Sequence, residues 1–422
     1  MRAAVCAEIK TKHQPRKLSG QAPEKLQNSN INYRRHIVKL RAYVAIIAFS
    51  CGQIVVPQAN AAETGKSDLN KAPYPRSKLI QGITWEWETY TNAAPGSDLW
   101  PATWGPDDNL YVAWGDGGGF GGTDKDGRVA MGIGRIEGGP EDWRGFNVNG
   151  GKNPEHPATF QKRGKTSALL SVQGTLYAMV NLQDGTWPDV NHALVWSKDK
   201  GAHWSQVDWV FPRGHFLPAK FVNFGKDYSG VPESLAGSIY VCGQLPQEPG
   251  KYAKRISTLR VPISKIRKEF EYVLMSGPIP IDRFGYVGKN EKARSDFEDE
   301  IGAFVDTNGI AIAGIVYNPG IKRFLLTCYH TGPGQLGVFE GENPWGPWST
   351  IAYYENWGGM GVEGEGLSCE FPQKWMSADG LTLWCIFSAY GDGAKKGIKA
   401  HDRFNLVRVK LESAKHQELN SK

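Results

Sequence analysis

The stretch "SDLWPATWGPDDNLYVAWGDGGGFGG", residues 97–122, places two carboxylates, Asp98 and Asp116, 18 residues apart. Asp98 lies beside a leucine–tryptophan pair, and Asp116 begins a glycine-rich tip. Two acids that face one bond can cleave it, because one donates a proton while the other acts as a base or nucleophile. The same stretch could instead form a phosphate cradle, a metal loop or ordinary turns, so the surrounding elements have to decide.

The glycine-rich tip does not have the setting of a nucleotide site. Residues 117–122 match GxGxxG, but the strand-like run "RVAMGIGRI" follows where that fingerprint needs a helix N-terminus. The run "DKDG" at 124–127 lacks the later ligands of a calcium loop. No CxxC or HExxH spacing occurs. The sequence predicts turns at both places, with no resident metal and no cofactor.

The rest of the chain consists mostly of strand-like runs bounded by Gly, Pro, Asn and Asp. Examples are "LIQGITWEWETY", "NLYVAWGDG", "ALLSVQGTLYAMV" and "NPGIKRFLLTCYH". A long all-β chain must hide its strand edges, and a closed ring of blades does so. Residues 197–204, "SKDKGAHW", have the Ser-x-Asp-x-Gly-x-x-Trp form of the hairpins in sialidase-like propellers, the Asp-box. We therefore predict a five-bladed β-propeller with four-stranded antiparallel blades and one sialidase-like Asp-box hairpin.

The first 61 residues have the pattern of an export signal. Basic residues precede an apolar run, and Ala59-Asn60-Ala61 is a small-x-small cleavage site, so a cut after Ala61 is expected. Ordinary secretion and twin-arginine export both fit, and the destination is periplasmic or secreted. The expected organisation is a leader (1–61), a short flexible segment (62–77), one propeller domain (78–412) and a polar tail (413–422).

Removal of the leader changes the charge of the protein. Residues 1–61 hold ten Lys and Arg against two Asp and Glu, so the remaining chain carries about −2 rather than +6. No basic stripe remains, which argues against a nucleic-acid partner. We expect no membrane span after signal removal, a monomer, and a polysaccharide substrate as the partner. Four cysteines remain, at 242, 328, 369 and 385, and their pairing as disulfides is left open.

The spacing of Asp98 and Asp116 fits one hairpin, so neighbouring strands of one blade could bring both acids to the same rim. Glycosidic cleavage needs such a pair. Four tryptophans lie near in sequence and could stack on sugar rings or raise the pKa of one acid. They are Trp85, Trp87, Trp100 and Trp104. The alternative is that Asp116 is a turn residue and the tryptophans are core.

Several stretches in this order resemble a bacterial family of five-bladed propellers, long classed as a domain of unknown function, that includes endo-D-arabinanases. They are residues 97–122, "GKTSALLSVQGTLYAMV", the Asp-box hairpin, "FVNFGKDYSG", "YNPGIKRFLLT", "NPWGPWSTI" and "FPQKWMSADGLTLWCIFS". The resemblance covers most of residues 78–411. It implies an active site at one end of the central channel and two catalytic aspartates on the first blade, which match Asp98 and Asp116.

Further polar residues are candidates for substrate binding. They are Trp100, Lys165, His192, Asn223, Asp227 and Glu370. The sequence predicts an exported glycoside hydrolase that acts on a polysaccharide or cell-wall glycan, D-arabinan by the resemblance. A polysaccharide lyase, a sialidase and a non-catalytic glycan-binding propeller remain as alternatives. A lyase would need a Tyr or His base and a cation for the uronate carboxylate.

Overall fold

The computed structural model describes residues 66–153, 155, 163–185, 190–214, 216–244, 256–275, 311–329, 335–360, 368–393 and 397–414. The expected leader and its cut after Ala61 lie outside these residues. Within them, the strands form five four-stranded antiparallel sheets. The prediction of an all-β, five-bladed propeller is confirmed.

Each blade is a meander whose first strand lies innermost. Blade 1 consists of β2 (Asp98–Trp104), β3 (Leu110–Gly115), β4 (Met131–Glu137) and β5 (Arg144–Asn149). Blade 2 consists of β6 (Lys165–Val172), β7 (Thr175–Asn181), β8 (His192–Ser197) and β9 (Ser205–Gln206). Blade 3 consists of β10 (Leu217–Phe221), β11 (Ser238–Gln244), β12 (Ile256–Pro262) and β13 (Val273–Leu274). Blade 4 consists of β14 (Ala311–Asn318), β15 (Arg323–Tyr329), β16 (Leu336–Gly341) and β17 (Trp348–Tyr354). Blade 5 consists of β18 (Cys369–Glu370), β19 (Thr382–Phe387), β20 (Phe404–Ser413) and β1 (Ile80–Ala93).

The ring is closed by the two ends of the propeller sequence. β1 pairs antiparallel with β20, from Ile80 opposite Ser413 to Ala93 opposite Phe404. The first strand is therefore the outer strand of the last blade. This pairing covers an edge of β20 that would otherwise be open to another chain. It also holds the first and last blades together, because blade 1 follows directly from β1.

Local turn chemistry explains where the strands reverse. Gln173 and Gly174 have φ of 50° and 73°, the left-handed pair that a two-residue hairpin between β6 and β7 requires. Between β14 and β15, the side chain of Asn318 accepts a hydrogen bond from the amide of Gly320 at 3.1 Å. Each reversal therefore lies at residues that favour a tight turn.

The turn between β8 and β9 is fixed by its own side chains. The hydroxyl of Ser197 donates to Asp199 Oδ1 at 2.7 Å, and the amide of His203 donates to the same oxygen at 2.9 Å. The indole of Trp204 donates to the carbonyl of Gly201 at 2.7 Å. Each bond satisfies a polar group that the reversal would leave unpaired.

Apolar clusters fill the spaces between adjacent blades. One cluster joins Trp114 of blade 1 to Trp384 and Leu406 of blade 5. Another joins Ile133 of blade 1 to Ala178 of blade 2. Full burial of a large apolar side chain contributes roughly 1.5–3 kcal/mol. These clusters pack adjacent blades against each other. The inner strands β2, β6, β10 and β14 contact one another in turn around the axis.

The inner strands share an irregularity at the end where they begin. The register against the neighbouring strand shifts in each of the first four blades. The shifts lie between Leu99 and Ala102 in β2, Thr166 and Ala168 in β6, Pro218 and Lys220 in β10, and Ile312 and Gly314 in β14. A bulge of this kind bends a strand and re-aims its side chains. One end of the channel is therefore lined by strand residues that depart from regular pairing.

The β1–β20 seam gives a prediction about folding. We expect a chain of residues 94–422 to lose cooperative thermal unfolding and to aggregate, because β20 is left with an open edge. A chain of residues 62–422 keeps β1 and is the matched control, with a single cooperative transition. Calorimetry and light scattering measure both properties. Equal melting temperatures for the two chains would show that the seam does not stabilise the ring.

Candidate functional site

A cavity of about 550 Å³ lies on the axis at the end where the inner strands begin. All five blades contribute to its wall. The contributions are Asp98 and Leu99 of β2, Lys165 to Ser167 of β6, Leu217 to Lys220 of β10, Ile312 of β14, and Ser368 just before β18. Asp116, which follows β3, also lines it. Such a concave site at one end of a propeller channel is suited to bind a ligand.

Asp98 is the first residue of β2 and lies opposite Gly115 of β3. Its Oδ1 atom is buried and has no hydrogen-bond partner among the described residues. Leu99 and Trp100, which follow it, have φ of 74° and 65°. Left-handed backbone is unusual for such bulky residues and is found mainly where surrounding structure enforces it. The distorted start of β2 turns the Asp98 carboxyl into the cavity.

The environment of Asp98 favours its protonated form. Burial raises the pKa of its carboxyl from the ordinary 3.8 to about 7. This value already includes the opposing charges of Lys165 and Arg128, which lower the pKa, and the charges of Asp402 and Asp116, which raise it. Asp98 therefore carries a proton over much of the range in which an ordinary aspartate is ionised.

Asp116 lies in a different environment although it is close to Asp98. It follows β3 directly and has a φ of 54°, which Asp tolerates better than most residues. The ammonium of Lys165 donates to its Oδ1 at 2.6 Å, and the guanidinium of Arg128 lies 3.3 Å from the same oxygen. Lys165 also donates to the carbonyl of Ala130 at 2.7 Å. Asp116 is thus held as an ion-paired carboxylate.

The two acids are therefore unequal. One is a buried carboxyl that retains its proton, and the other is a carboxylate fixed by two cations. A protonated carboxyl and an ion-paired carboxylate in one cavity can supply a proton donor and a base, or nucleophile, at the same pH. Both line the same cavity.

An ion pair beside the cavity crosses the channel. Lys220 of β10 donates to Glu370 Oε1 of β18 at 2.8 Å. The other carboxylate oxygen of Glu370 accepts a hydrogen bond from the amide of Ala102 in β2 at 2.9 Å. Both charged side chains are nearly buried, with 10% and 12% exposed. Glu370, predicted to bind substrate, is thus held by blades 1 and 3, and it is Lys220 that reaches the cavity wall.

His192 lies on the cavity wall as the first residue of β8. Its side chain is 1% exposed, and Nδ1 lies 3.2 Å from the carbonyl of Val190. Burial lowers the pKa of its imidazole to about 4, so the ring is neutral near pH 7. It stands in one row of blade 2 with Asn181 and Lys165, because Lys165 pairs with Asn181 and Asn181 pairs with His192.

The expectation that Trp100 offers a face to a ligand is wrong. Its side chain is fully buried and packs on Trp114 and Phe404, with its indole donating to the carbonyl of Ser97 at 2.9 Å. The bulge in β2 turns it outward from the channel into the space between blades 1 and 5. The other three tryptophans also lie outside the cavity. Trp85 and Trp87 belong to the outer strand β1, and Trp104 ends β2.

Asn223 and Asp227 were expected at the same site but do not line this cavity. Asn223 Oδ1 accepts a hydrogen bond from Thr103 at 2.7 Å, farther along β2. Asp227 Oδ1 accepts from the hydroxyl of Ser171 at 2.7 Å, and both carboxylate oxygens accept from the amide of Gly174. These contacts join blades 1, 2 and 3 near the far ends of β2 and β6. Asn223 and Asp227 therefore link these blades near the far ends of β2 and β6.

The glycine-rich tip forms turns, as predicted. The amide of Gly119 donates to the Ser97 hydroxyl at 3.0 Å, and the amide of Phe120 donates to Asn147 Oδ1 at 2.8 Å. β4 follows this loop, so there is no helix N-terminus for a phosphate. In the described part of the chain, no group of three or more His, Cys, Asp and Glu side chains is arranged to hold a metal ion.

Sequence reasoning missed several residues at this site. Asp402 lies between β19 and β20 and binds the amide of Gly96 through its carbonyl at 2.8 Å, which brings its charge close to Asp98. Lys220 is a lone cation within the apolar run "FLPAKFV", a signal that could have identified it. Thr166, Asn181 and Ser368 had no such signal, because small polar residues are common in strands.

Cys242, Cys328, Cys369 and Cys385 are all buried, and no disulfide joins any two of them. Nowhere in the described ranges does a helix combine the length and apolar character needed to cross a bilayer.

The raised pKa of Asp98 predicts a pH-dependent stability. Between about pH 4 and pH 7 the native state keeps a proton that the unfolded chain has lost, so stability falls as pH rises through this range. Asp98→Asn cannot ionise and avoids this loss. Since each pKa unit corresponds to about 1.4 kcal/mol, we expect the variant to gain roughly 2–4 kcal/mol over the natural protein between pH 4 and pH 8.

Urea unfolding at pH 4 and at pH 8 measures the difference in unfolding free energy between the variant and the natural protein. Asp126→Asn is the matched control, since Asp126 is exposed and paired with Lys152 at 2.6 Å on the neighbouring loop. Its stability difference from the natural protein should change far less with pH. A pH-independent difference for Asp98→Asn would show that this carboxyl titrates normally.

No known family profile matches the chain, and no curated protein sequence matches it. Similar solved structures include a Bacteroides ovatus ATCC 8483 protein provisionally named a hydrolase, at 9% identity, a TM-score of 0.45 and coverage of 83% of this chain and 97% of that one. The xylan β-1,4-xylosidase of Bacillus halodurans C-125 has 13% identity, a TM-score of 0.40 and coverage of 80% and 54%. The catalytic domain of the Coprinopsis cinerea GH62 α-L-arabinofuranosidase has 10% identity, a TM-score of 0.37 and coverage of 83% and 95%.

Proposed function

We propose that this protein is an exported glycoside hydrolase that cleaves a polysaccharide with Asp98 and Asp116 as its catalytic acids. The observation that carries the proposal is the inequality of the two acids within one cavity. Asp98 retains a proton, and Asp116 is a carboxylate fixed by Lys165 and Arg128. Glycosidic cleavage requires both states at once.

In this mechanism Asp98 is the general acid. Its proton passes to the glycosidic oxygen as the bond from that oxygen to the anomeric carbon breaks. Oδ1 of Asp98 has no hydrogen-bond partner among the described residues, so the carboxyl group is not committed to another side chain through that atom. A proton donor works best when its pKa is near the working pH, and the value of about 7 meets this condition.

Asp116 supplies the second carboxylate. It either attacks the anomeric carbon directly or takes a proton from the water that does so, according to the separation of the two acids. Lys165 is a positioning residue in this scheme, because its ammonium is shared between Asp116 and the carbonyl of Ala130. Its contacts hold the carboxylate in place.

The charges of the cavity favour this proposal over the alternatives. A lyase needs a strong base and a cation for the uronate carboxylate. Here the pKa of His192 is lowered to about 4, and Lys165 and Lys220 are both paired with carboxylates. A sialidase needs an arginine cluster, and no arginine is found among the described residues that line the cavity.

The finer assignment is a D-arabinofuranosyl glycan as substrate. It rests on the resemblance of residues 97–122 and the later stretches to a family that includes endo-D-arabinanases. Export rests on the basic and apolar pattern of residues 34–61 with a cut expected after Ala61. Both parts belong to the proposal, and both can be tested apart from the catalytic residues.

The central experiment is hydrolysis of a glycan panel by the natural protein, Asp98→Asn and Asp116→Asn. The panel contains D-arabinan, L-arabinan, xylan, galactan and polygalacturonate. We expect D-arabinan to be cleaved by the natural protein and not measurably by either variant, because each loses one of the two catalytic groups. We also expect kcat/KM to fall as pH rises above about 7, where Asp98 loses its proton.

Asp126→Asn is the control, since it changes an exposed acid of the same loop and should keep full activity. Asparagine tolerates the left-handed backbone of residue 116, so folding of Asp116→Asn should be preserved. Full activity in either catalytic variant removes that residue from the mechanism. Unsaturated products from polygalacturonate would identify a lyase instead.

The variant Gly115→Ala tests the position of the Asp98 and Lys165 side chains without removing either of them. A Cβ on this residue would lie 2.5 Å from Asp98 Oδ1 and 2.8 Å from Lys165 Cδ, so both side chains must move. We expect Gly115→Ala to reduce kcat/KM by roughly 100-fold, since small displacements of catalytic groups are costly. Gly139→Ala is the control, because its Cβ would approach only Asp142 Oδ1, at 3.0 Å. Unchanged kcat/KM in Gly115→Ala would contradict the placement of Asp98.

A further inference from the structure

The cavity wall contains three polar side chains that the fold does not satisfy. Thr166 Oγ1, Asn181 Oδ1 and Ser368 Oγ have no hydrogen-bond partner among the described residues. Their side chains are 0%, 4% and 2% exposed. A buried polar atom without a partner destabilises a protein by about 1–3 kcal/mol. All three residues line one cavity, where a ligand would supply the missing partners.

These three residues flank the blade that carries the two acids. Thr166 and Asn181 belong to β6 and β7 of blade 2, and Ser368 precedes β18 of blade 5. Asn181 pairs with Lys165, which holds Asp116. The unsatisfied groups therefore lie on both sides of the reacting acids, where the hydroxyls of a bound sugar would be.

The part of the wall from blades 3 and 4 is largely apolar, although Lys220 and Gln244 also belong to it. Leu217, Pro218 and Ala219 of β10 and Ile312 of β14 line it. A sugar ring has hydroxyls at its edge and C–H groups on its faces. An apolar wall opposite a polar one suits both parts of such a ring at once.

The charge of the cavity selects against an acidic sugar. Lys165 is 2.6 Å from Asp116, and Lys220 is 2.8 Å from Glu370, so both cations among the described residues of the wall already have an anion. A bound carboxylate would have to be desolvated without an unpaired cation to receive it, which is strongly unfavourable. The wall is suited to an uncharged glycosyl unit.

We propose that Thr166, Asn181 and Ser368 form a hydroxyl-recognition subsite for one uncharged sugar residue, whose C–H face lies on the β10 and β14 wall. This inference rests on the proposed function and deepens it, because it assigns the residues that bind and orient the sugar beside Asp98 and Asp116. The subsite residues are positioning groups and take no part in proton transfer.

The test measures binding apart from catalysis. In an Asp98→Asn background, calorimetry gives the affinities for arabino-, xylo- and galacto-oligosaccharides and for galacturonate oligosaccharides. We expect one of the neutral series to bind and the galacturonate series to bind more weakly. Adding Thr166→Val, Asn181→Leu or Ser368→Ala should weaken the binding of that neutral series about tenfold each, by the loss of one hydrogen bond.

Ser257→Ala is the matched control for Ser368→Ala. Ser257 also has a buried hydroxyl without a partner among the described residues and is 2% exposed, but it lies on β12 away from the cavity. Both serine variants should keep or raise the melting temperature of the free protein. Only Ser368→Ala should lose affinity. A purely structural role for Ser368 would not separate stability from binding in this way.

The outcomes distinguish the subsite from the reaction. Affinities within twofold of the background in all three subsite variants, tighter binding of galacturonate, or no binding of any neutral series would overturn the subsite. Hydrolysis by the natural protein together with any of these results leaves the proposed function standing. Binding that the variants weaken, without hydrolysis by the natural protein, supports the subsite and removes the hydrolase assignment.

Discussion

The ion pair between Lys220 and Glu370 is the interaction on which the site depends. It crosses the channel between blades 3 and 5, and Glu370 also accepts a hydrogen bond from the amide of Ala102 in blade 1. Ala102 ends the bulge that begins after Leu99, so its amide is directed at the axis. The pair thereby fixes the start of β2, including the orientation of Asp98. Loss of one partner would leave an uncompensated charge at the axis, which is strongly destabilising.

The two acids obtain different properties from positions that are almost adjacent. Asp98 lies opposite Gly115, and Asp116 is the next residue along the chain. One faces buried surroundings, and the other faces Lys165 and Arg128. A single hairpin therefore supplies a carboxyl with a raised pKa and a carboxylate in contact with two cations, provided that blade 2 brings Lys165 to it. The site depends on the contact between blades as much as on the hairpin.

Much of the fold could be predicted from the sequence, because strand alternation and turn residues are local signals. The Gln173–Gly174 hairpin and the turn at Asn318 are examples, as is the order of strands. The location of Asp98 and Asp116 at neighbouring strands of one blade also followed from local spacing. The orientation of Trp100 did not, because alternation assigns faces only in regular strands and β2 is bulged at that point.

Contacts between residues that are distant in sequence could not be predicted either. Asn223 and Asp227 lie in a polar stretch that favoured a ligand, but their partners are Thr103 and Ser171 at the far ends of β2 and β6. Nothing within "NFGKDY" identifies which end of the channel it occupies. Likewise, the unsatisfied oxygens of Thr166 and Asn181 are defined by neighbours that only the closed ring brings together.

The repeated bulges of β2, β6, β10 and β14 have a consequence for how this architecture can diversify. Each irregularity is confined to the innermost strand, while the outer ladders keep regular pairing over most of their length. Insertion or removal of one residue there would alter the aperture at a single blade and leave the other blades unchanged. The width of the entrance can be changed at one blade independently of the others. Proteins with this architecture could therefore accept ligands of different width without a change in the rest of the ring.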